Sequence, residues 1–407
     1  MRNFEPIYID RAKGAWVTDI DGNSYLDMML GMGSALLGHG ADSVTKAVAT
    51  QMQKAASPGS TLLEARAAAR IVKHVPCAEL VRFTCSGTEA NLGALRVARA
   101  ATGRSTIIRF NGHYHGSADE LLGGVPGGRD GMHALATETP GDVYSSMVNT
   151  AGRHPQVFEQ VLMLPWNDVE SLRRCMDQHG HSIAAILMEP VMLNNSGCLP
   201  RPGYLQAVRD VCDEYGSVLI FDEVLTGFRM SLGGAQKSFG VTPDLTVLGK
   251  AIGNGFPVSA FCGTRQVMSP LVENSAVIGG TYNGHPLAMA AVCAALDTLA
   301  DEQNTMYLRF RDLDAQFREG LMQLAKQHGH SIHIHGFPGA CVVNFSDTPI
   351  LRHEEKTQDS FAVEAAFNRN LVRHGVLSNF RLSLSAAHTS DDIDYALKIA
   401  AKAFSDL

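Results

Sequence analysis

The sequence predicts an α/β fold, with a large domain on a mainly parallel sheet and a smaller α+β domain after it. Three observations predict this. From Val81 to about Ala300, apolar runs of strand length alternate with longer segments of helical spacing, the order that builds a parallel sheet covered by helices. Two of the runs, VLIFD (Val218–Asp222) and LTVL (Leu245–Leu248), deliver the polar residues Asp222 and Lys250 where the strand emerges. Around Asp301–Gln303 the pattern changes to helix, paired strands, helix, strand and helix. The expected division is 1–45 as an N-terminal hairpin segment of the small domain, 46–300 as the large domain and 301–407 as the small α+β domain.

Each element has its own signal. Ala15–Asp19 and Ser24–Asp27 flank Asp21-Gly22-Asn23 and read as a β-hairpin. Leu36–Gly40 reads as a loop, and Ala41–Ala55 and Leu62–His74 as helices. Val81–Thr84 is a strand, and Cys85–Ala90 turns into a helix reaching about Ala101. Thr106–Phe110 is the next strand, leading into Asn111–Gly116. Gly123–Thr150 is rich in Gly, Pro and small polar residues and is expected to form a long loop over the site. Val161–Pro165 and Ile183–Met188 are further strands, the second ending at Glu189-Pro190. Asn283–Pro286 opens a helix to about Ala300, and a separate helix is expected from Met306 to His328. Strands Ser331–His335 and Cys341–Phe345, helix Phe361–His374, strand Arg381–Ser385 and helix Asp391–Phe404 complete the chain.

Composition narrows the function. The 407 residues suffice for two domains, and 45% apolar with 18% charged residues is ordinary for a globular enzyme. A net charge of −7 gives no footprint for nucleic acid. No apolar run approaches the roughly 20 residues of a membrane helix, and MRNFEPIYIDR has no apolar signal core. The eight cysteines form no C-x-x-C pair, which suits reduced core thiols and a cytoplasmic location. His328, His330, His333 and His335 cluster, but no carboxylate or cysteine shares their spacing, so no metal is expected.

The chemistry sits at the strand ends. A carboxylate and an amine at neighbouring carboxyl ends of such a sheet suit pyridoxal 5′-phosphate, with Lys250 as its Schiff-base lysine and Asp222 holding its ring nitrogen protonated. Lys250 lies between Gly249 and Gly253, read as letting the chain turn tightly. Ser86, Gly87 and Thr88 sit between strand and helix, where backbone N–H groups and hydroxyls cradle a phosphate; the blander reading is a helix N-cap. Tyr114 follows a strand in GHYHG, with His115 read as structural. Glu189 ends its strand, either touching the cofactor or held by backbone groups.

These motifs, S-G-T-E-A (Ser86–Ala90), G-H-Y-H-G, E-P at Glu189, D-E-V-L-T-G-F-R (Asp222–Arg229), Lys250 and G-G-T-Y (Gly279–Tyr282), occur in the order of one family. The chain resembles the fold-type I, class III pyridoxal-phosphate aminotransferases, nearest the glutamate-1-semialdehyde aminomutase-like branch. The resemblance implies a homodimeric transaminase acting on a small amino donor and a carbonyl acceptor. It implies that Tyr114 stacks on the cofactor ring, with Val224 on the opposite face. It also implies that Thr281 reaches the partner's cofactor phosphate, making the site composite. An aminomutase or racemase is the alternative reading, and a non-catalytic cofactor-binding scaffold a more distant one.

Departures from the family pattern bear on substrate. Asn254 replaces a common glycine and His285 a common asparagine; Met192-Leu193-Asn194 follows E-P-V. Asn379-Phe380-Arg381 stands where a glutamate is frequent. The arginine-bearing segment that aminomutases carry before the hairpin is not in this sequence, which is read against true semialdehyde chemistry. Arg381 is then a candidate for a substrate carboxylate, against the bland reading of a surface arginine paired with an acidic neighbour.

Overall fold

The first strands form where alternation meets a polar turn. A computed structural model describes residues 6–122, 152 and 154–407. Strands β1 (Ile9–Lys13), β2 (Trp16–Asp19) and β3 (Ser24–Asp27) make an antiparallel meander, with β2–β3 the expected hairpin. Asp19 Oδ1 accepts the N–H groups of Asp21 at 3.0 Å and Asn23 at 2.8 Å, and Gly22 takes φ 88°. Strand β1 left no apolar signal because its side chains are mostly exposed. After β3 the chain turns left-handed over four residues, Leu30, Gly31, Met32 and Gly33, at φ 53°, 57°, 62° and 91°. Leucine and methionine adopt that region only under constraint. Asp27 Oδ1 supplies it, accepting from the N–H of Met29 at 2.8 Å and Leu30 at 2.7 Å. Helices α1 (Asp42–Lys54) and α2 (Leu62–His74) follow.

The central sheet is built from β4 (Leu80–Thr84), β5 (Thr106–Phe110), β6 (Val161–Leu164), β7 (Ile183–Met188), β8 (Val218–Asp222), β9 (Leu245–Leu248) and β10 (Ser259–Gly263). Its helices are α3 (Gly87–Thr102), α4 (Val169–His179), α5 (Tyr204–Tyr215), α6 (Gly234–Phe239) and α7 (Arg265–Val272). The seven strands lie in the order β4-β10-β9-β8-β7-β5-β6. Strands β6, β5, β7, β8 and β9 are parallel, while β10 runs antiparallel to both β9 and β4. The chain reverses direction across the sheet between β5 and β7, and parallel sheets bind ligands at the carboxyl ends beside such a reversal. Gly123–Thr150, the expected loop over the site, lies outside the described residues.

The expected break near Asp301 is not there. One helix, α8 (Pro286–Gln327), runs 42 residues through it. The polar run Asp301–Asn304 mimics a boundary, but no Pro or Gly interrupts the chain between Pro286 and Gly320, and helices stop at such residues rather than at polar ones. His285 caps its start, Nδ1 accepting the Leu287 N–H at 3.2 Å, with Pro286 in the first turn. Beyond it come β11 (Ile332–Phe337), β12 (Ala340–Phe345), α9 (Gln358–His374), β13 (Val376–Leu377), β14 (Arg381–Ser383) and α10 (Ser390–Ser405). Strand β13 pairs in parallel with β3, so chain start and chain end share one sheet. Their apolar faces also share one core, in which Leu26, Ile71, Leu296, Phe310, Phe367 and Phe404 are buried. Among the described residues no helix is long and apolar enough to cross a membrane.

Candidate active site

Asp222 ends β8 and is 4% exposed. Its Oδ2 accepts from His115 Nδ1 at 2.8 Å and from Asn91 Nδ2 at 2.8 Å, and its Oδ1 from the Val224 N–H at 3.1 Å. Burial holds His115 below the usual imidazole range, and its bond to Asp222 opposes that. His115 is therefore more than a structural residue, because it fixes one carboxylate oxygen. Asn91, on the second turn of α3, was missed from the sequence. Its Nδ2 also donates to the His115 carbonyl at 2.8 Å, so one amide positions both partners. A buried asparagine one turn beyond the Ser86–Thr88 motif was the available signal.

Lys250 follows β9 in a short turn at φ 48°. The sequence reading assigned the turn's freedom to the glycines; the dihedrals place it on Lys250 and on Asn254, at φ 45°. Gly249 has an extended φ of −164°. Space, not dihedral freedom, demands glycine there: a Cβ would lie 2.9 Å from Ser259 Oγ at Gly249 and 2.5 Å from Val258 Cγ1 at Gly253. Asn254 lies outside the cavity wall and ties this turn to the N-terminal loop. Its side chain accepts from Leu37 N–H at 2.8 Å and donates to Gly38 O at 3.1 Å. Lys250 keeps part of its surface open to a cavity, yet its surroundings lower its amine to about 7, through burial first and then nearby Arg381.

That cavity, of about 150 Å³, is lined by Gly87, Thr88, Tyr114, Glu189, Asp222, Val224 and Lys250 together with Asn91, His115 and Asn194. A wider open depression of about 520 Å³ lies apart, between Asn167–Glu170, Arg201–Tyr204 and Arg352. Ser86 is not on the cavity wall: it is exposed, and its hydroxyl accepts the Glu89 N–H at 3.3 Å as the α3 N-cap. Gly87 comes close to Val224, whose Cγ2 would lie 3.2 Å from an added Cβ. Thr281 is exposed and outside the cavity of its own chain.

Glu189 is 3% exposed. Its Oε1 accepts from Tyr114 N–H at 2.7 Å and Asn194 Nδ2 at 3.0 Å, while Oε2 has no partner among the described residues. Burial, and next the charge of Asp222, raise it to about 7.

Arg381 opens β14 and is 8% exposed, so the surface reading is overturned. Its Nη2 donates to a backbone carbonyl, Met32 O, at 2.9 Å, and its Nε is buried without a partner among the described residues. Burial lowers its guanidinium to about 10. Arg229, 1% exposed, ties three segments by donating to Leu384 O at 2.7 Å, Gly33 O at 2.8 Å and Gly339 O at 3.3 Å. The left-handed turn thus presents two consecutive carbonyls, Met32 and Gly33, to two arginines. Neither arginine is on the cavity wall, but the positive charge of each reaches Lys250 and lowers its amine.

The residues present fit pyridoxal 5′-phosphate. The start of α3 brings Gly87 and Thr88 to the cavity wall, Asp222 is locked by donors, and a lysine amine near neutrality shares the cavity with both. The family model for "Aminotransferase class-III" matches residues 1–381. The chain is 37% identical to glutamate-1-semialdehyde 2,1-aminomutase 2 of Bacillus pumilus, covering 100% of this chain and 92% of that one. An omega-transaminase from Sphaerobacter thermophilus superposes with a TM-score of 0.90 at 30% identity, covering 98% and 91%. A glutamate-1-semialdehyde aminomutase of Pseudomonas aeruginosa in complex with PMP gives 0.84 at 25% identity, covering 99% and 88%.

Proposed function

The chain belongs to the class-III aminotransferases, fold-type I enzymes that use pyridoxal 5′-phosphate, and from that premise we propose that it moves an amino group on a small carboxylate-bearing substrate, with Lys250 and Asp222 as catalytic residues. One observation carries the reading: Lys250 and a doubly clamped Asp222 share a cavity at the carboxyl ends of neighbouring parallel strands. When bound, the cofactor supplies a carbonyl carbon for amines and a ring that takes up electrons freed at the substrate's Cα. Lys250, whose amine is lowered to about 7, would be the lysine that holds the cofactor, and its amine would move the proton from the substrate's Cα. Asp222, fixed by His115 and Asn91, would hold a proton on the ring nitrogen. Gly87 and Thr88 at the α3 start would hold the phosphate, with Ser86 capping the helix beside them. Tyr114 and Val224 would bound the ring on its two faces, and Glu189 would stand at its edge.

Two reactions share this machinery. Transfer between two molecules is supported by the likeness to the Sphaerobacter transaminase. The intramolecular shift has the better support, since relatives at 36–38% identity are named 2,1-aminomutases. Glutamate-1-semialdehyde supplied alone distinguishes them. Isomerisation without a second substrate supports the aminomutase, whereas turnover only with separate amino donor and acceptor supports the transaminase.

Arg381 is the proposed carboxylate-binding group. A charge-assisted hydrogen bond is worth about 1.5–3 kcal/mol. Arg381→Ala is therefore expected to raise KM for carboxylate substrates by roughly ten- to a hundredfold, leaving amines without a carboxylate far less affected. Equal effects on both classes would remove Arg381 from the role.

The exposure of Thr281 supports a composite homodimer in which it reaches the partner's phosphate. Lys250→Ala and Thr281→Trp should each be inactive alone. Mixed and allowed to exchange subunits, they should recover part of the activity, because one site in each heterodimer is intact. Confirmed exchange with no recovery would sink the composite site.

A further inference from the structure

Glu189 has two oxygens in different circumstances. Oε1 already accepts two hydrogen bonds, from the Tyr114 N–H and from Asn194 Nδ2. Oε2 is buried and has no partner among the described residues, on a residue that lines the cavity with Lys250. Among the described residues no cation pairs with it. An ionised carboxylate buried without a contacting cation is costly, whereas the protonated acid needs one acceptor for its O–H. The surrounding charges pull in opposite directions. Asp222 at the end of β8 favours the acid, while Lys250 after β9 and Arg381 on β14 favour the anion. His113, in the loop after β5, is buried and held well below the usual imidazole range; its Nδ1 accepts the Glu189 N–H at 2.9 Å, so it adds no charge. Desolvation is the largest influence and favours the acid.

We propose that Glu189 is a further catalytic group of this site, a neutral carboxylic acid whose Oε2 donates a hydrogen bond to an oxygen of the bound molecule. The proposal rests on the reading of the cavity as the cofactor and substrate site. The two donors on Oε1 mark it as the carbonyl oxygen, which leaves the proton on Oε2, the atom that meets no acceptor among the described residues. A carboxyl kept neutral by its surroundings can donate at neutral pH where an ordinary glutamate cannot. The acceptor is either the phenolic oxygen of the cofactor or a carboxylate or carbonyl oxygen of the substrate. The acid also complements Lys250: as a base the lysine must be neutral, and a neutral acid beside it leaves it so without creating a buried lone charge.

The test is infrared difference spectroscopy of the holoenzyme, wild type against Glu189→Gln, from below to above neutrality. The expected result is a carbonyl band of an un-ionised carboxyl in the wild type alone, lost as pH rises through about 7. The band should move to lower frequency on ligand binding, when its proton becomes shared. A move on adding cofactor to apoprotein identifies the phenolic oxygen as acceptor. A move only on adding succinate as an unreactive carboxylate identifies the substrate. Glu189→Gln should flatten this limb of the pH profile of kcat, because its amide donates at every pH; Glu189→Leu, which can neither donate nor accept, should lose roughly ten- to a hundredfold in kcat. No such band, or a band that neither ligand moves, overturns the proposal. If Glu189→Gln does not fold, carbon-13 NMR of carboxyl-labelled glutamate in the wild type decides it, by the presence or absence of a resonance titrating near neutrality. The cofactor's visible absorption is recorded alongside: band present with no carboxyl signal defeats this inference alone, whereas absent visible absorption defeats the reading of the cavity.

Discussion

Lys250→Ala is expected to abolish turnover, by about 10⁴-fold or more, since a positioned base alone contributes roughly 10²–10⁴ and the variant loses the covalent attachment as well. The cofactor should still bind through the α3 start, but the visible band of its bond to lysine should be absent. The fold should survive, because the turn's strained φ of 48° sits on Lys250 itself and alanine tolerates that region no worse. A pH prediction follows from the same residue. Its amine is lowered to about 7, by burial first and Arg381 second. The neutral amine is the reactive form, so capture of pyridoxal phosphate by apoprotein should rise about tenfold per pH unit below that value and level off above it. Arg381→Ala removes a neighbouring positive charge, which raises the amine's pKa and moves the profile to higher pH. Stopped-flow absorbance measures both. Undiminished turnover in Lys250→Ala would end the assignment of Lys250.

The parts of the fold that could be read were those written locally. Strands β5, β7 and β8 and helix α2 begin and end where the residues say, because a short, mostly apolar run between turn formers admits little but a strand, and a longer run of helical spacing little but a helix. Strand β10 was not read. Ser259–Gly263 follows a proline and carries small residues, and only its place between β9 and β4 makes it a buried strand. The unbroken α8 was misread because polarity was taken for a boundary. There, packing on α1, α2 and α10 holds a helix through a polar run.

The placement of Lys250 and Asp222 at strand ends was legible for a related reason. A polar residue at the end of a fully apolar strand has few bland explanations. The burial of Arg381 was not legible, because what buries it is remote: its partner Met32 O belongs to a residue 349 positions away. The same holds for the left-handed turn at Leu30–Gly33, whose Gly-x-Gly spacing gives no hint that both its carbonyls serve arginines. Asn91 and His115 lie 131 and 107 positions from Asp222, and their joint hold on one oxygen exists only once α3 and the β5 loop have packed over β8.

Asp222→Asn is expected to fold and to lose roughly 10²–10³ in kcat, about 3–4 kcal/mol, the scale of removing one preorganised electrostatic contact at a reacting group. The geometry dictates why an amide cannot substitute. Oδ2 accepts two donors, His115 Nδ1 and Asn91 Nδ2, and Oδ1 accepts the Val224 N–H. An asparagine has one acceptor oxygen for three donors. If that oxygen serves His115 and Asn91, its NH₂ faces the Val224 N–H; if it flips, the NH₂ faces both side-chain donors. In either orientation it carries no charge to hold a proton on the ring nitrogen, so the ring accepts electrons poorly. Asn91→Ala removes one clamp and leaves the charge, and should cost only about tenfold, one lost hydrogen bond. The ordering is the test: Asp222→Asn far slower than Asn91→Ala, with both melting within a few degrees of the wild type. A near-normal rate for Asp222→Asn would place the proton-holding carboxylate elsewhere, and an Asn91→Ala variant as slow as Asp222→Asn would mean that position, more than charge, is what this carboxylate supplies.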